Sequence, residues 1–250
     1  MSSRLASSLL LAAALSGCAG VAPPAGAPHP KDPYEALNRR MFVFNERLDA
    51  KVLKPAAQTY QSVVPSPVRE GVRNFFGNLG DAWSAVNWLL QGDVHRGFEQ
   101  GARFAWNSTL GLAGVFDVSS WMGLDKRSQD FGQTLGAWGV GAGPYLVLPV
   151  FGPSSVRDAA ALPVNSMGGS GWWFDGERTQ IALRALDVIS LRADLLKAGD
   201  LVDGIALDKY TFFRDAYLQR RGGKRQKPVD DDDFEVLPSP SPASAPPATP

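Results

Sequence analysis

This chain has little that could carry covalent or metal chemistry. Its single cysteine, Cys18, leaves nothing for a disulfide within the chain. Only two histidines are present. His29 lies in a Pro/Ala/Gly stretch, and His95 stands alone with Glu99 one turn on, too few ligands for a metal centre. Gly168-Gly169-Ser170-Gly171 sets a serine among glycines without the spacing of a nucleophile elbow, and no histidine follows to serve as base. No phosphate-cradling Gly-x-x-x-x-Gly-Lys run occurs. These absences argue against an enzyme, and no cofactor or metal is expected. After the N-terminal segment no apolar run approaches the ~20 residues that span a bilayer. The longest, Tyr145 to Phe151, is broken by Pro149.

Net charge is also missing, but the zero conceals a division. With Arg4 set aside, 24 of the 25 basic residues precede Val229, against 20 of the 25 acidic ones. The body therefore carries +4, and the tail, with Asp230 to Asp233 and Glu235, carries −5. That excess is too small to point to nucleic acid. It suits either anionic lipid headgroups or an ordinary solvated surface.

Among the features present, the N-terminus is the most specific. Arg4 and the Leu/Ala-rich run Leu5 to Leu15 read as a secretory signal. The segment Leu15-Ser16-Gly17-Cys18 resembles a bacterial lipobox. The resemblance implies cleavage after Gly17 and acylation of Cys18, which anchors stably once two or more chains are attached. Ala19 in the next position implies sorting to the outer membrane of a diderm bacterium, with the chain held on its periplasmic side. Four regions follow: a signal over 1–17, a flexible tether over 18–31, a folded body over 32–222, and a tail over 223–250. The tail is basic, then acidic and Pro/Ser/Ala-rich, a composition that buries no core.

The body reads as all-α. Asp32-Pro33-Tyr34-Glu35 signals a helix start. Leu37, Met41, Phe44, Leu48 and Val52 then make one apolar face, which Pro55 is expected to end. Ser66-Pro67 opens a second helix with Val68, Val72, Phe75, Phe76 and Leu79 on a face. Asp81 is expected to cap a third, carrying Trp83, Val86, Leu89 and Leu90. Asp93 opens a fourth to about Asn107, aligning Phe98, Ala102 and Ala105. Two more helices are expected over Glu177 to Leu196 and about Asp208 to Arg221. Between Phe131 and Gly171, nine glycines alternate with aromatics and prolines. This reads as an irregular segment: a loop covering the core, or a hinge or pore lining. The seven tryptophans fit either an interfacial belt or core packing.

Ordered motifs from Asp32 to about Arg221 resemble the VacJ/MlaA-type lipoproteins. They include Asp32-Pro33-Tyr34-Glu35, Asn38-Arg39, Met41 to Asn45, Asn74 to Leu79, Leu89 to Gly92 and Arg103-Phe104. Val64-Pro65, Pro67 to Arg69, Val86-Asn87, Asn107 to Gly111, Phe131 to Gly136, Gly143 to Pro149, Gly152-Pro153, Arg157-Asp158 and Tyr217 to Arg221 complete the set. The chain departs from the pattern at Ala159 to Pro163, where a Gly-bearing turn is expected, and at Lys209, where Pro is commoner. The resemblance implies a ring-like bundle of amphipathic helices lying in the membrane interface around a central amphipathic channel. It further implies removal of mislocalised phospholipid from the outer leaflet, an outer-membrane porin trimer beside the chain, and a periplasmic lipid carrier to receive the cargo. In that picture Phe131, Gly132, Gly136, Gly141, Gly143, Pro144, Tyr145, Gly152 and Arg157 form the channel and its gate. Tyr145 and Arg157 are then assigned to the headgroup path, although Arg157 has Asp158 or a helix end as alternative partners. The competing expectation is an envelope scaffold lipoprotein that moves no lipid.

Overall fold

The computed structural model describes residues 29–168, 174 and 176–222. Cys18 with its signal, most of the tether, Gly169 to Trp173 and the tail from 223 lie outside the described residues. Helix α1 (Glu35–Leu48) continues through a π-helical turn, Asp49–Leu53, into α2 (Lys54–Val63). Pro55 therefore does not end the helix as expected; it sits in the first turn of α2. A proline lacks an N–H and crowds the carbonyl four residues back. A wider turn, in which the Lys54 N–H reaches the Asp49 carbonyl, absorbs that misfit. Asp32 is likewise no cap. It is fully buried, accepting from Asn38 Nδ2 at 2.8 Å and from the Tyr210 hydroxyl.

Helix α3 (Ser66–Leu90) runs unbroken for 25 residues, so the expected new start at Asp81 does not occur. Helix α4 (Val94–Thr109) begins as expected, with Asp93 accepting from the Arg96 N–H at 3.1 Å. A single turn, α5 (Val118–Trp121), follows. The Gly-rich stretch is more regular than its composition suggests. Helix α6 (Phe131–Ala137) is capped by Asp130, which accepts from the Gln133 N–H at 2.9 Å. Strands β1 (Tyr145–Leu148) and β2 (Gly152–Ser155) pair antiparallel, Tyr145 opposite Ser155, with Pro149 confined to the turn. Helix α7 (Val156–Gly168) absorbs Ala159 to Pro163, and α8 (Glu177–Asp194) follows. Helix α9 (Leu196–Ile205) carries no cue in the sequence reading, and α10 (Lys209–Gly222) closes the body.

The hairpin packs between α1 and α10. Tyr145, Val147, Tyr210 and Tyr217 form a buried cluster, joined by Met41, Phe42 and Leu218. Two asparagines one heptad apart on α1 act as a substitute strand. Asn38 donates to the Tyr145 carbonyl at 3.0 Å and accepts from the Val147 N–H at 2.9 Å. Asn45 does the same for the Leu148 carbonyl and the Val150 N–H, both at 2.8 Å. A smaller cluster of Ala57, Ala193 and Leu196 joins α2 to α8 and α9. The Asp49–Arg192 pair at 2.6 Å ties the π turn to α8.

Burial follows the apolar periodicity only in part: Leu79 is buried and Met41 packs on the hairpin cluster as expected, but many of the expected core residues face outward. On α1 and the π turn after it, Leu37, Phe44 and Val52 are exposed, while Asn38 is the buried residue of α1. On α3, Asn78, Asp81, Ser84 and Asn87 point inward while Val86, Leu89 and Leu90 point out. On α4, Gln100, Arg103 and Asn107 are buried and Phe98 is 72% exposed. The helices thus meet through polar stripes at spacings of three and four. Each stripe finds partners: Asn78 Nδ2 donates to Ser108 Oγ at 2.9 Å, Thr134 Oγ1 to Asn87 Oδ1 at 2.7 Å, and Gln100 Nε2 to the Asp125 carbonyl at 2.9 Å. That pairing makes a polar interior tenable, although Asn78 Oδ1 is left without a hydrogen-bond partner among the described residues.

Candidate functional site: an amphipathic cleft

A cleft of about 1200 Å³ opens between α3, α8 and the segment joining α4 to α6. It exceeds the usual range for small-molecule sites, ~300–1,000 Å³. One wall is apolar, built by Phe75 and Phe76 of α3, Val115 and Phe116 of the joining segment, and Leu183 and Leu186 of α8. Phe75 and Phe76 meet edge to face with ring centres 5.3 Å apart.

Charged groups complete the lining as a floor. Arg103, fully buried, reaches Asp81 at 3.2 Å and Asp117 at 3.0 Å, and donates to the Leu124 carbonyl. Lys126 pairs with Asp81 at 3.1 Å and donates to the Gly77 carbonyl at 2.8 Å. Burial pushes the Asp81 carboxyl up from its ordinary range, against the pull of Lys126 and Arg103. Burial acts in the same sense on Asp117. There it is outweighed by hydrogen bonds from Ser120, Asn107 and Arg103, which hold the carboxyl at about 2. The cleft therefore offers an apolar wall to hydrocarbon and a fixed polar floor to a charged or hydrated group.

The residues assigned from the sequence to the channel and its gate do not line this cleft. They gather instead around the hairpin, α6 and α7. The Phe131 N–H donates to Asn165 Oδ1 at 2.8 Å, and its ring stands edge to face with Trp138. Gly132 and Gly136 are sites of close approach, where a Cβ would lie 2.5 Å from Asp158 Oδ1 and 2.6 Å from Arg157 Nη1. Gly141 faces open space, and Gly143 has φ +69° beside Val156. The Pro144 carbonyl accepts from the Val156 N–H at 3.1 Å, and Gly152 has φ +77° at the start of β2. Tyr145 is fully buried, and burial raises its phenol above the ordinary range. Arg157 is engaged by Asp158 at 2.9 Å and directed to the Val140 carbonyl, the local alternative foreseen for it. Tyr145 and Arg157 are thus buried beside the hairpin, not on the wall of the large cleft. Cys18 lies outside the described residues.

The cleft floor was missed because its members are scattered. Asp81, Arg103, Asp117 and Lys126 share no motif spacing. A signal was nevertheless present: polar residues recur every three or four positions along α3 and α4, matching the apolar repeat on the opposite face.

Of the tryptophans, Trp88 is core, with Nε1 donating to the Arg127 carbonyl at 3.0 Å. Trp83 is half-buried and donates to Asn165 Oδ1 at 3.1 Å. Trp106, Trp121 and Trp138 are exposed. No described helix is long and apolar enough to cross a membrane.

Fold and cleft together define a helical protein with a polar-paired interior, outward apolar faces and an amphipathic cavity. Comparison with known proteins gives that class a family. The profile of the MlaA lipoproteins matches residues 30–224. The intermembrane phospholipid transport system lipoprotein MlaA of Escherichia coli (strain K12) is 33% identical over 214 residues, 82% of this chain and 84% of that protein. A protein of Rickettsia bellii is 35% identical over 198 residues, 79% of this chain and 78% of the relative. A solved structure described as the structural basis for maintenance of bacterial outer membrane lipid asymmetry superposes with TM-score 0.67 and 35% identity. That match covers 76% of this chain and 96% of the other. The chain belongs to the MlaA lipoprotein family.

Proposed function

We propose that this protein removes mislocalised phospholipid from the outer leaflet of the outer membrane and passes it to a periplasmic carrier, keeping the two leaflets asymmetric. It is anchored through acylated Cys18 on the periplasmic side, and an outer-membrane porin trimer stands beside it. One observation carries the reading: a large cleft with an apolar wall and a charged floor lies inside a chain whose helices turn their apolar faces outward. Apolar patches on this scale are costly in water and favourable against acyl chains. We read the helices as a ring in the membrane interface around that cleft. Names borne by relatives support the same pathway.

Transport in this reading is passive and non-catalytic. The chain positions the lipid, with acyl chains on the Phe75/Phe76 wall and the head toward polar groups, and drive comes from partners. The segment with Gly132, Gly136, Gly141 and Gly143 serves as the gate. The test is to purify the lipoprotein in detergent and extract it. Phospholipid recovered at about one molecule per chain is expected. Protein free of phospholipid would favour a scaffold that moves no lipid.

A further inference from the structure

Among the described residues, three positions other than glycine hold a positive φ: Leu112 at +51°, Ala113 at +59° and Val150 at +70°. A side chain is crowded by that backbone, a β-branched one most of all. Turns of this shape are ordinarily made by Gly or Asn, and this chain uses Gly for them at Gly92, Gly123 and Gly139. Leu112 and Val150 gain no burial in return, being 66% and 65% exposed at the tips of two turns. Both turns are nonetheless firmly held. After α4, the Ala113 N–H donates to the Ser108 carbonyl at 3.0 Å and the Phe116 N–H to the Gly111 carbonyl at 2.9 Å. In the hairpin, the Val150 N–H donates to Asn45 Oδ1 at 2.8 Å. Leu110 and Phe116 beside the first tip and Phe151 beside the second are exposed as well. Strain that is held in place while its apolar side chains face outward points to a return from outside the chain.

We propose that these two tips, Leu112 and Val150 with Phe151, are the points at which the chain enters the hydrocarbon of the bilayer. This rests on the interfacial reading above and goes beyond it by naming the two turns that reach deepest. Charge and aromatics favour lipid over a protein partner there. No charged residue lies between Arg103 and Asp117, or between Asp130 and Arg157. A protein contact is ordinarily rimmed by polar and charged groups, whereas a segment entering hydrocarbon must carry no charge. Exposed Trp106 and Trp121 flank the first turn in sequence, and exposed Trp138 precedes the second. Indoles in such places settle at headgroup depth. Burying a Leu or Val side chain in hydrocarbon is enough to offset the backbone strain that presents it. The first turn also leads to the cleft, since its Val115 and Phe116 belong to the apolar wall.

The test is depth. Lipoprotein carrying Leu112→Cys or Val150→Cys, whose new thiol is unique once Cys18 is acylated, is labelled with a nitroxide and reconstituted in phosphatidylethanolamine/phosphatidylglycerol vesicles. Labels at both tips should relax with oxygen, which concentrates in hydrocarbon, and be shielded from a water-soluble nickel chelate. A label introduced by Glu177→Cys, at an exposed polar position, should do the reverse. Tips reached by the chelate as freely as position 177 would overturn the proposal and assign the turns to a protein partner. A second measurement needs no label. In the full chain without acylation (Cys18→Ala), Leu112→Asn combined with Val150→Asn should keep the thermal midpoint at or above that of the parent, because Asn tolerates a positive φ. Its partition into the same vesicles should fall by about tenfold. A lowered midpoint would make the tips part of the fold, and an unchanged partition would make them bystanders; either result overturns the proposal. A parent chain that binds no vesicles contradicts the interfacial reading itself, and this inference falls with it.

Discussion

Arg103 is the residue on which the interior turns. Its guanidinium is fully buried yet reaches two carboxylates, a hydroxyl and a carbonyl. A buried charge is tolerable only with such partners, and removing one side leaves the others uncompensated. Arg103→Met should therefore destabilise the protein by about 3–5 kcal/mol in denaturant unfolding. An unchanged midpoint would mean the floor is wetter than its burial implies. Asp117 gives a pH signature of definite sign. Its folded carboxyl is held at about 2, below the ordinary 3.8 of the unfolded chain. Its stabilising contribution is thus complete above 3.8 and is lost as pH falls toward 2. Asp117→Asn should flatten that part of the stability profile, and thermal melts between pH 5 and 2 measure it.

At the scale of elements, periodicity located the helices better than it oriented them. The starts at Ser66 and Asp93, the helix from Glu177 and the one near Asp208 follow from caps and spacing. Pro55 and Asp81 mislead, since a π turn accommodates the first and an ion pair takes the second. Which face of a helix is inside cannot be read from its period, because a stripe of Leu37, Phe44 and Val52 looks alike whether it meets core or lipid. The Gly-rich stretch hid a hairpin because the asparagines that hold it, Asn38 and Asn45, lie about 100 residues away. Its glycines separate by environment. Gly143 has a positive φ and Val156 close by, whereas Gly141 faces open space. Gly143→Leu should lower the thermal midpoint, at a cost of about 1–2 kcal/mol for the left-handed backbone alone. Gly141→Leu should leave it unchanged. Equal melts for the two variants would contradict this distinction.

For the whole molecule, the family and its pathway were legible because many short motifs recur in order from Asp32 to Arg221. The cleft was not, because its floor assembles only when α3, α4 and the segments flanking α5 come together. Outward apolar faces, exposed Trp106, Trp121 and Trp138, and a charged floor under an apolar wall fit one physical setting. That setting is a membrane interface outside and an amphipathic cargo within. The most direct measurement is phospholipid exposed at the cell surface in a strain lacking this protein, complemented with wild type or with Cys18→Ala. Surface phospholipid should rise on deletion and return to normal only with the lipidated form. An unchanged level on deletion would contradict removal of phospholipid from the outer leaflet.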